Sequence, residues 1–246
     1  MEQVRTDLVV DIGNTRTKAV LFHGGRITRH STADRPEELD LGALTDGRGL
    51  DGVALASVGH PSEEVRALFS ALAPVQVITG TSPTPVDVAY RTPETLGVDR
   101  LANAVAIALL FPGRSMLAVD LGTCITYDLV RPREGFIGGA ITPGPRMRSR
   151  AMHAYSARLP LTDPDPRAPM VGRDTRECLA TGVFHGVVHE IAGIVSDLRQ
   201  QAPDLGVVLT GGAALPFVHA LKSGIFADPF LTLRGLYAIH LHNLVP

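Results

Sequence analysis

Residues 8–22 read LVVDIGNTRTKAVLF, an apolar run that stops at Asp11, turns at Gly13-Asn14-Thr15 and leaves as a second apolar run through Lys18. A glycine after a buried strand lets the backbone pass close to a ligand, and successive N–H groups in such a turn form a concavity that suits an anion. Thr15 can add a hydroxyl donor and Lys18 a charge for a phosphate. Asp11 offers a carboxylate able to hold magnesium directly or through water. Taken alone, the same residues also make an ordinary hairpin turn. The pattern occurs twice, however: residues 117–130 read LAVDLGTCITYDLV, and without a gap Asp120 falls under Asp11, Gly122 under Gly13 and Thr126 under Thr17. Two copies of one strand–turn–strand unit, each with an aspartate at the strand end, favour phosphate binding and a duplicated fold.

A third constellation lies between them, Tyr90-Arg91-Thr92-Pro93-Glu94-Thr95-Leu96-Gly97-Val98-Asp99-Arg100. Asp99 has a ready structural role as a helix N-cap. Arg100 is harder to dismiss, because a cation in a helix's first turn opposes the macrodipole, a cost that an anionic ligand offsets. Together they suit a kinase, with Asp99 accepting a hydroxyl proton and Arg100 pairing with a substrate carboxylate.

The elements that must carry these residues follow from periodicity and punctuation. After the first hairpin the sequence predicts a third strand over 26–30, a short helix over 36–44, a strand over 52–58, a helix over 61–72 and a strand over 75–78. Residues 79–93 read as loop and 101–110 as a buried helix; Pro112-Gly113-Arg114 divides the chain into domains 1–113 and 114–246. The second half repeats the plan, with a third strand over 135–140, a helix over 146–157 and a proline-rich loop over 158–172. Helices over 174–180 and 182–201 that merge or abut, a strand over 206–210, a Gly211-Gly212 turn, a helix over 214–221 and a closing helix over 233–244 complete it. Hairpins followed by alternating helices and strands make an α/β protein with mixed sheets flanked by helices.

At 246 residues and 45% hydrophobic content the chain can bury real cores, and a net charge of -2 gives nucleic acid no basic face and a membrane no polybasic contact. The N-terminus lacks the build of a secretory signal, and the apolar run of 101–111 is too short to span a bilayer. Cys124 and Cys178 form neither a C-x-x-C pair nor a disulfide framework, so a reduced, cytoplasmic setting is expected. Lysine occurs only at Lys18 and Lys222. His185 and His189, followed by Glu190, could ligate a metal but lack a third ligand; Arg146, Arg148 and Arg150 read as a solvated helix face. Thr210-Gly211-Gly212 could approach a nucleoside or be a plain turn.

The paired D-x-G-N-T and D-x-G-T hairpins resemble the two phosphate motifs of the acetate kinase, sugar kinase, heat-shock chaperone and actin superfamily. That resemblance implies two duplicated ribonuclease-H-like domains of actin-like ATPase architecture with ATP between them. No P-loop and no G-x-G-x-x-G behind a strand occurs. With Y…G-x-D-R between the hairpins, then Gly138-Gly139-Ala140-Ile141-Thr142-Pro143-Gly144, Gly172-Arg173-Asp174-Thr175, Thr181-Gly182 and Thr210-Gly211-Gly212 in order, nearly the whole chain resembles the type III pantothenate kinases.

The resemblance implies a kinase that transfers the γ-phosphoryl group of ATP to pantothenate, with ATP on Asp11, Ile12, Gly13, Asn14, Thr15, Arg16, Thr17, Lys18 and Thr123. Pantothenate falls to Tyr90, Gly97, Val98, Asp99, Arg100 and Thr181, with Asp99 the catalytic base. Asp120 takes a monovalent cation, potassium or ammonium, Mg2+ accompanies ATP, and the protein is a homodimer whose pantothenate pocket lies near the subunit interface. Cys124 stands where alanine is common and Arg234 where glutamate is frequent. The rival readings are a kinase of the same superfamily with a sugar or carboxylate acceptor, and a non-catalytic regulator.

Overall fold

The computed structural model describes residues 4–57, 59, 61–221 and 224–244; Val58, where one predicted strand ended, and Lys222 lie outside them. The chain forms two compact units: the described residues of Met1–Leu110 with those of Phe230–Pro246, and Phe111–Pro229.

In the first unit β1 (Thr6–Ile12), β2 (Thr17–His23) and β3 (Arg26–Ala33) make an antiparallel meander, and β4 (Gly52–Ser57) and β5 (Val75–Ile78) extend it on the other side of β1 in parallel. Strand alternation puts Leu8, Val10, Ala19, Val53 and Leu55 in one core cluster. Leu44 of α1 (Leu41–Thr45) and Val65 and Phe69 of α2 (Glu63–Ser70) complete it. Ser62 caps α2 by accepting from the Val65 N–H.

The same unit holds α3 (Val98–Leu110) and α7 (Leu231–His242), packed against each other. Their approach is close: a Cβ on Gly235 would lie 1.8 Å from the Ala102 carbonyl oxygen, so only glycine fits there. Thr232 of α7 donates to Asn103 of α3 at 2.8 Å. Tyr237 stacks on Phe22 of β2 at 3.9 Å between ring centroids. His240 bonds to Gln76 on one ring nitrogen and approaches Asp7 at 3.3 Å with the other, and Asp7 also takes a two-pronged contact from Arg5.

The last helix therefore packs with the first unit, whereas a cut at 113/114 had grouped it with the second half. Its apolar side matches α3 and β1–β2, and chain order alone carries no trace of that return.

The second unit repeats the topology. β6 (Met116–Leu121), β7 (Cys124–Arg131) and β8 (Gly135–Pro143) form the meander, and β9 (Gly206–Thr210) and β10 (Ile225–Ala227) add on in parallel. Both five-stranded sheets thus have the same order relative to their own first strand. α4 (Pro145–Ala154) follows β8, and α5 (Thr175–Gln201) and α6 (Ala214–Ala220) complete the unit. Leu117, Val119, Tyr127 and Leu209 meet Phe184, Val187 and Ile191 of α5 and Phe217 of α6 in one core.

The helices expected over 174–180 and 182–201 merge into one. A side chain at Gly182 would meet open space, so the glycine sits on an exposed face of one 27-residue helix. By length and composition α5 could cross a membrane. Its apolar stripe is used by the sheet instead, and its Glu190 is tied into a polar network.

Candidate active site

At the first turn the register pairs Asp11 with Lys18 and Ile12 with Thr17. Cross-strand partners project to the same face, so the carboxylate and the ammonium share one side of the sheet. The Gly13 N–H donates to the Arg16 carbonyl at 3.0 Å and closes the turn. Asn14, Thr15 and Arg16 are exposed, Asp11, Ile12, Gly13 and Lys18 half-buried, and Thr17 is buried. Arg16 makes a 3.9 Å contact to the exposed Asp34, a surface pair of little energetic weight.

The second turn is one residue shorter. Asp120 pairs with Thr126 and Leu121 with Ile125. The ungapped match of Thr17 with Thr126 therefore slips by one on the return strand: opposite the aspartate stands Lys18 in one unit and Thr126 in the other. Thr126 is buried and donates to Asp128 at 3.0 Å.

Two glycine loops close on this turn. Gly144 donates to the Thr123 carbonyl at 3.0 Å, and a Cβ there would fall 2.4 Å from the Gly122 oxygen. Gly211 has φ of 94°, and a Cβ on it would lie 2.3 Å from Asp120 Oδ1. Ala213 N–H donates to the Leu121 carbonyl at 3.0 Å. Gly144 and Gly211 are thus needed for close approach to the Asp120–Thr123 segment.

In the first unit the third constellation comes together at the head of α3. The helix begins at Val98, three residues before its predicted start, and the Gly97 carbonyl accepts from the Leu101 N–H. Asp99 lies inside the first turn, so it is not the N-cap; its Oδ1 accepts from the Arg100 N–H at 2.9 Å. A Cβ on Gly97 would lie 2.5 Å from that same oxygen.

Arg100 is 5% exposed; its Nη1 donates to Tyr90 OH at 3.4 Å, and its guanidinium carbon lies 5.5 Å from the Tyr90 ring centroid. A Cβ on Gly80 would fall 1.8 Å from the Leu96 oxygen, so the 79–80 segment runs tightly against the approach to Gly97. Tyr90, Gly97, Val98, Asp99 and Arg100 therefore form one cluster offering a carboxylate and a buried, oriented cation.

Thr181 belongs to α5 of the second unit, where its hydroxyl donates to the Pro169 carbonyl at 2.6 Å. His185 bonds the Ala168 carbonyl at 3.0 Å, and Cys178 Sγ the Gly172 carbonyl at 3.4 Å, so three α5 side chains pin the 158–172 loop. At the head of α5, Asp174 accepts from the Glu177 N–H and Glu177 from the Arg173 N–H, a reciprocal cap. Beside it lies an open pocket of about 490 Å³ lined by Met152, Leu159, Arg173 and Cys178.

Among the described residues no group of three or more His, Cys, Asp or Glu could hold a metal ion, which removes the His185/His189 reading. Magnesium keeps several waters and is bound by one or two carboxylates together with substrate phosphates. Half-buried Asp11 at a strand end is such a carboxylate.

Sequence reasoning missed one group. Glu190 on α5 accepts from Tyr127 OH at 2.8 Å, from Thr142 Oγ1 at 2.7 Å and from Arg148 of α4. Arg148, expected on a solvated face, is 21% exposed. Burial alone would raise the Glu190 pKa, but the donors from Arg148, Thr142 and Tyr127 outweigh it and hold it below the usual glutamate value. Burial, and then the bond to Glu190, push the Tyr127 pKa up. A charged residue inside an apolar helical stripe was the available signal.

The repeated sheet order and the two glycine-backed turns define an actin-like ATPase architecture built from two ribonuclease-H-like units. Solved structures share the fold. A Campylobacter jejuni chain described as a conserved member of the Baf family of transcriptional activators has a TM-score of 0.61 at 19% identity, covering 96% of this chain and 98% of that one. A ROK hexokinase from Thermus thermophilus has 0.51 at 17%, covering 97% and 99%. In sequence, a type III pantothenate kinase from Bacteroides fragilis is 40% identical over 239 residues, 96% of this chain and 98% of that protein. The model of that family matches residues 7–197. The chain belongs to the type III pantothenate kinase family.

Proposed function

We propose that Asp99 is the base, and Arg100 the carboxylate anchor, in this chain's ATP-dependent phosphorylation of pantothenate, a step of coenzyme A biosynthesis. The observation that carries these roles is the head of α3, where an oriented carboxylate and a buried guanidinium stand on consecutive residues. Phosphoryl transfer asks mainly for positioning and electrostatics. The pantothenate hydroxyl oxygen bonds to the γ-phosphorus as the bond to the bridging oxygen breaks, and the hydroxyl proton passes to Asp99. Arg100, steadied by Tyr90, pairs with the pantothenate carboxylate, and Gly97 and Val98 line the approach.

The phosphates of ATP are assigned to the Asp11–Lys18 segment and to Thr123. Lys18 supplies a fixed positive charge and the glycine turns supply N–H donors. Asp11, through water, would hold Mg2+, which neutralises charge on the phosphates. Asp120 is assigned a monovalent cation, potassium or ammonium, and Thr181 a place in the pantothenate pocket.

The working state is a homodimer in the cytoplasm. Tyr155 and Val171, exposed at 92% and 75% beside and within the 158–172 loop, support an apolar contact with a second copy. Two free cysteines suit a reducing compartment.

A coupled ADP-release assay across pantothenate, hexoses and acetate in potassium buffer tests the acceptor. Turnover is expected with pantothenate alone; turnover with a hexose or acetate instead would overturn it.

A further inference from the structure

Glu190 gathers side chains from three other elements. Tyr127 comes from the strand after the second turn, Thr142 from the next strand, and Arg148 from α4. Arg148 leads back to one short stretch of backbone. Arg148 Nε donates to the Pro143 carbonyl at 2.8 Å, Pro143 pairs in register with Cys124, and the next residue, Gly144, donates to the Thr123 carbonyl at 3.0 Å. No side chain fits at Gly144, since the Gly122 and Thr123 oxygens lie 2.4 and 2.5 Å from where its Cβ would be. A continuous path of bonded groups therefore runs from the Glu190 carboxylate through Arg148, Pro143 and Gly144 to the Gly122-Thr123 turn.

Stability alone does not call for such an arrangement. A buried ion pair is weak evidence of stabilisation, because desolvation offsets much of its Coulombic gain, and an apolar substitute often serves as well. A carboxylate with three donors does fix directions, and α5, 27 residues long, is anchored in the core of the unit, so its side chain is a rigid reference.

We infer that Glu190 is a positioning residue for phosphoryl transfer: through Arg148 and Gly144 it sets the place of the Gly122-Thr123 turn, and with it the affinity for the phosphates of the nucleotide. The inference rests on the assignment of ATP phosphates to Thr123. Glu190 touches no substrate in this account and acts only through the turn. The wild type holds the turn ready before nucleotide arrives, so the phosphates do not meet the cost of ordering it.

The test uses the full-length protein and calorimetric titration of ATP, adenosine and pantothenate, each alone. Glu190→Gln keeps the shape but loses the charge that orients Arg148. It is expected to weaken ATP about 10-fold and to leave adenosine and pantothenate within about twofold, as a phosphate-specific effect requires. Arg148→Met should do the same, and the double variant should be no worse than either single one, because both cut one path. If ATP, adenosine and pantothenate weaken together, or melting falls while all three affinities hold, Glu190 is merely structural and the inference is overturned. Thr123→Val separates the premise. If it leaves ATP affinity unchanged, the phosphate assignment of the turn is wrong; if it weakens ATP while Glu190→Gln does not, the assignment stands and only the positioning role fails.

Discussion

Gly97→Ala probes the head of α3 with one methyl group. The alanine Cβ would lie 2.5 Å from Asp99 Oδ1, where ordinary contact begins at 3.4 Å, so the carboxylate must retreat by about 0.9 Å. The backbone has no objection, since the Gly97 φ lies outside the left-handed region that favours glycine. The clash falls on the far end of a side chain able to rotate. Thermal stability should therefore move little, by about 2 °C or less, and replacing glycine at a compatible site can even stabilise by about 0.4–1 kcal/mol. Catalysis should suffer, because a misplacement of about 1 Å at a reacting group costs on the order of 10²-fold. Steady-state ADP release with pantothenate is expected to show kcat down about 10- to 100-fold, with the KM for ATP unchanged. In an Asp99→Asn background the alanine should add almost nothing, since both changes act on one group. A Gly97→Ala enzyme with kcat within twofold of wild type would refute the claim that the Asp99 oxygen is held where proton transfer needs it.

Four further outcomes are expected. Gly235→Ala must push α7 off α3, because its Cβ would lie 1.8 Å from the Ala102 oxygen; overpacking of this kind costs about 3 kcal/mol, and calorimetry should show melting lowered by about 6–12 °C. Arg100→Lys loses the planar fork that Tyr90 steadies, so the KM for pantothenate should rise about 10- to 100-fold while that for ATP stays within twofold. Asp120→Asn should abolish any activation by potassium, read as rate against potassium concentration at fixed ionic strength. The depressed pKa of Glu190 contributes stability that is present above the usual value of 4.5 and lost as pH falls through the lower folded value; denaturant melts of wild type and Glu190→Gln should converge in that acid window and diverge above it.

Much of this was legible in the residues. The apolar runs of 8–10 and 116–119, a glycine turn and an aspartate at each strand end were enough to place two equivalent hairpins, and the sheet order shows the duplication they implied. What escaped depended on geometry that spacing does not encode. The second turn is one residue shorter, so an ungapped alignment mispaired Thr17 with Thr126. The start of α3 falls earlier than expected because Asp99, which suits an N-cap, lies inside the first turn, and Arg100 behind it is buried against Tyr90. β10 has three residues and no period to detect. The return of α7 to the first unit, and the recruitment of Arg148 by Glu190, join residues far apart in sequence.

The central claim is that Asp99 takes the proton while its neighbours do the binding. Single-turnover transfer from labelled ATP to pantothenate in potassium and magnesium buffer, compared between wild type and Asp99→Asn, tests it most directly. The account predicts that the variant binds ATP and pantothenate within about threefold of wild type and transfers phosphate on the order of 10²–10⁴-fold more slowly, the usual contribution of a positioned general base. Transfer at the wild-type rate, with both substrates bound, would contradict it.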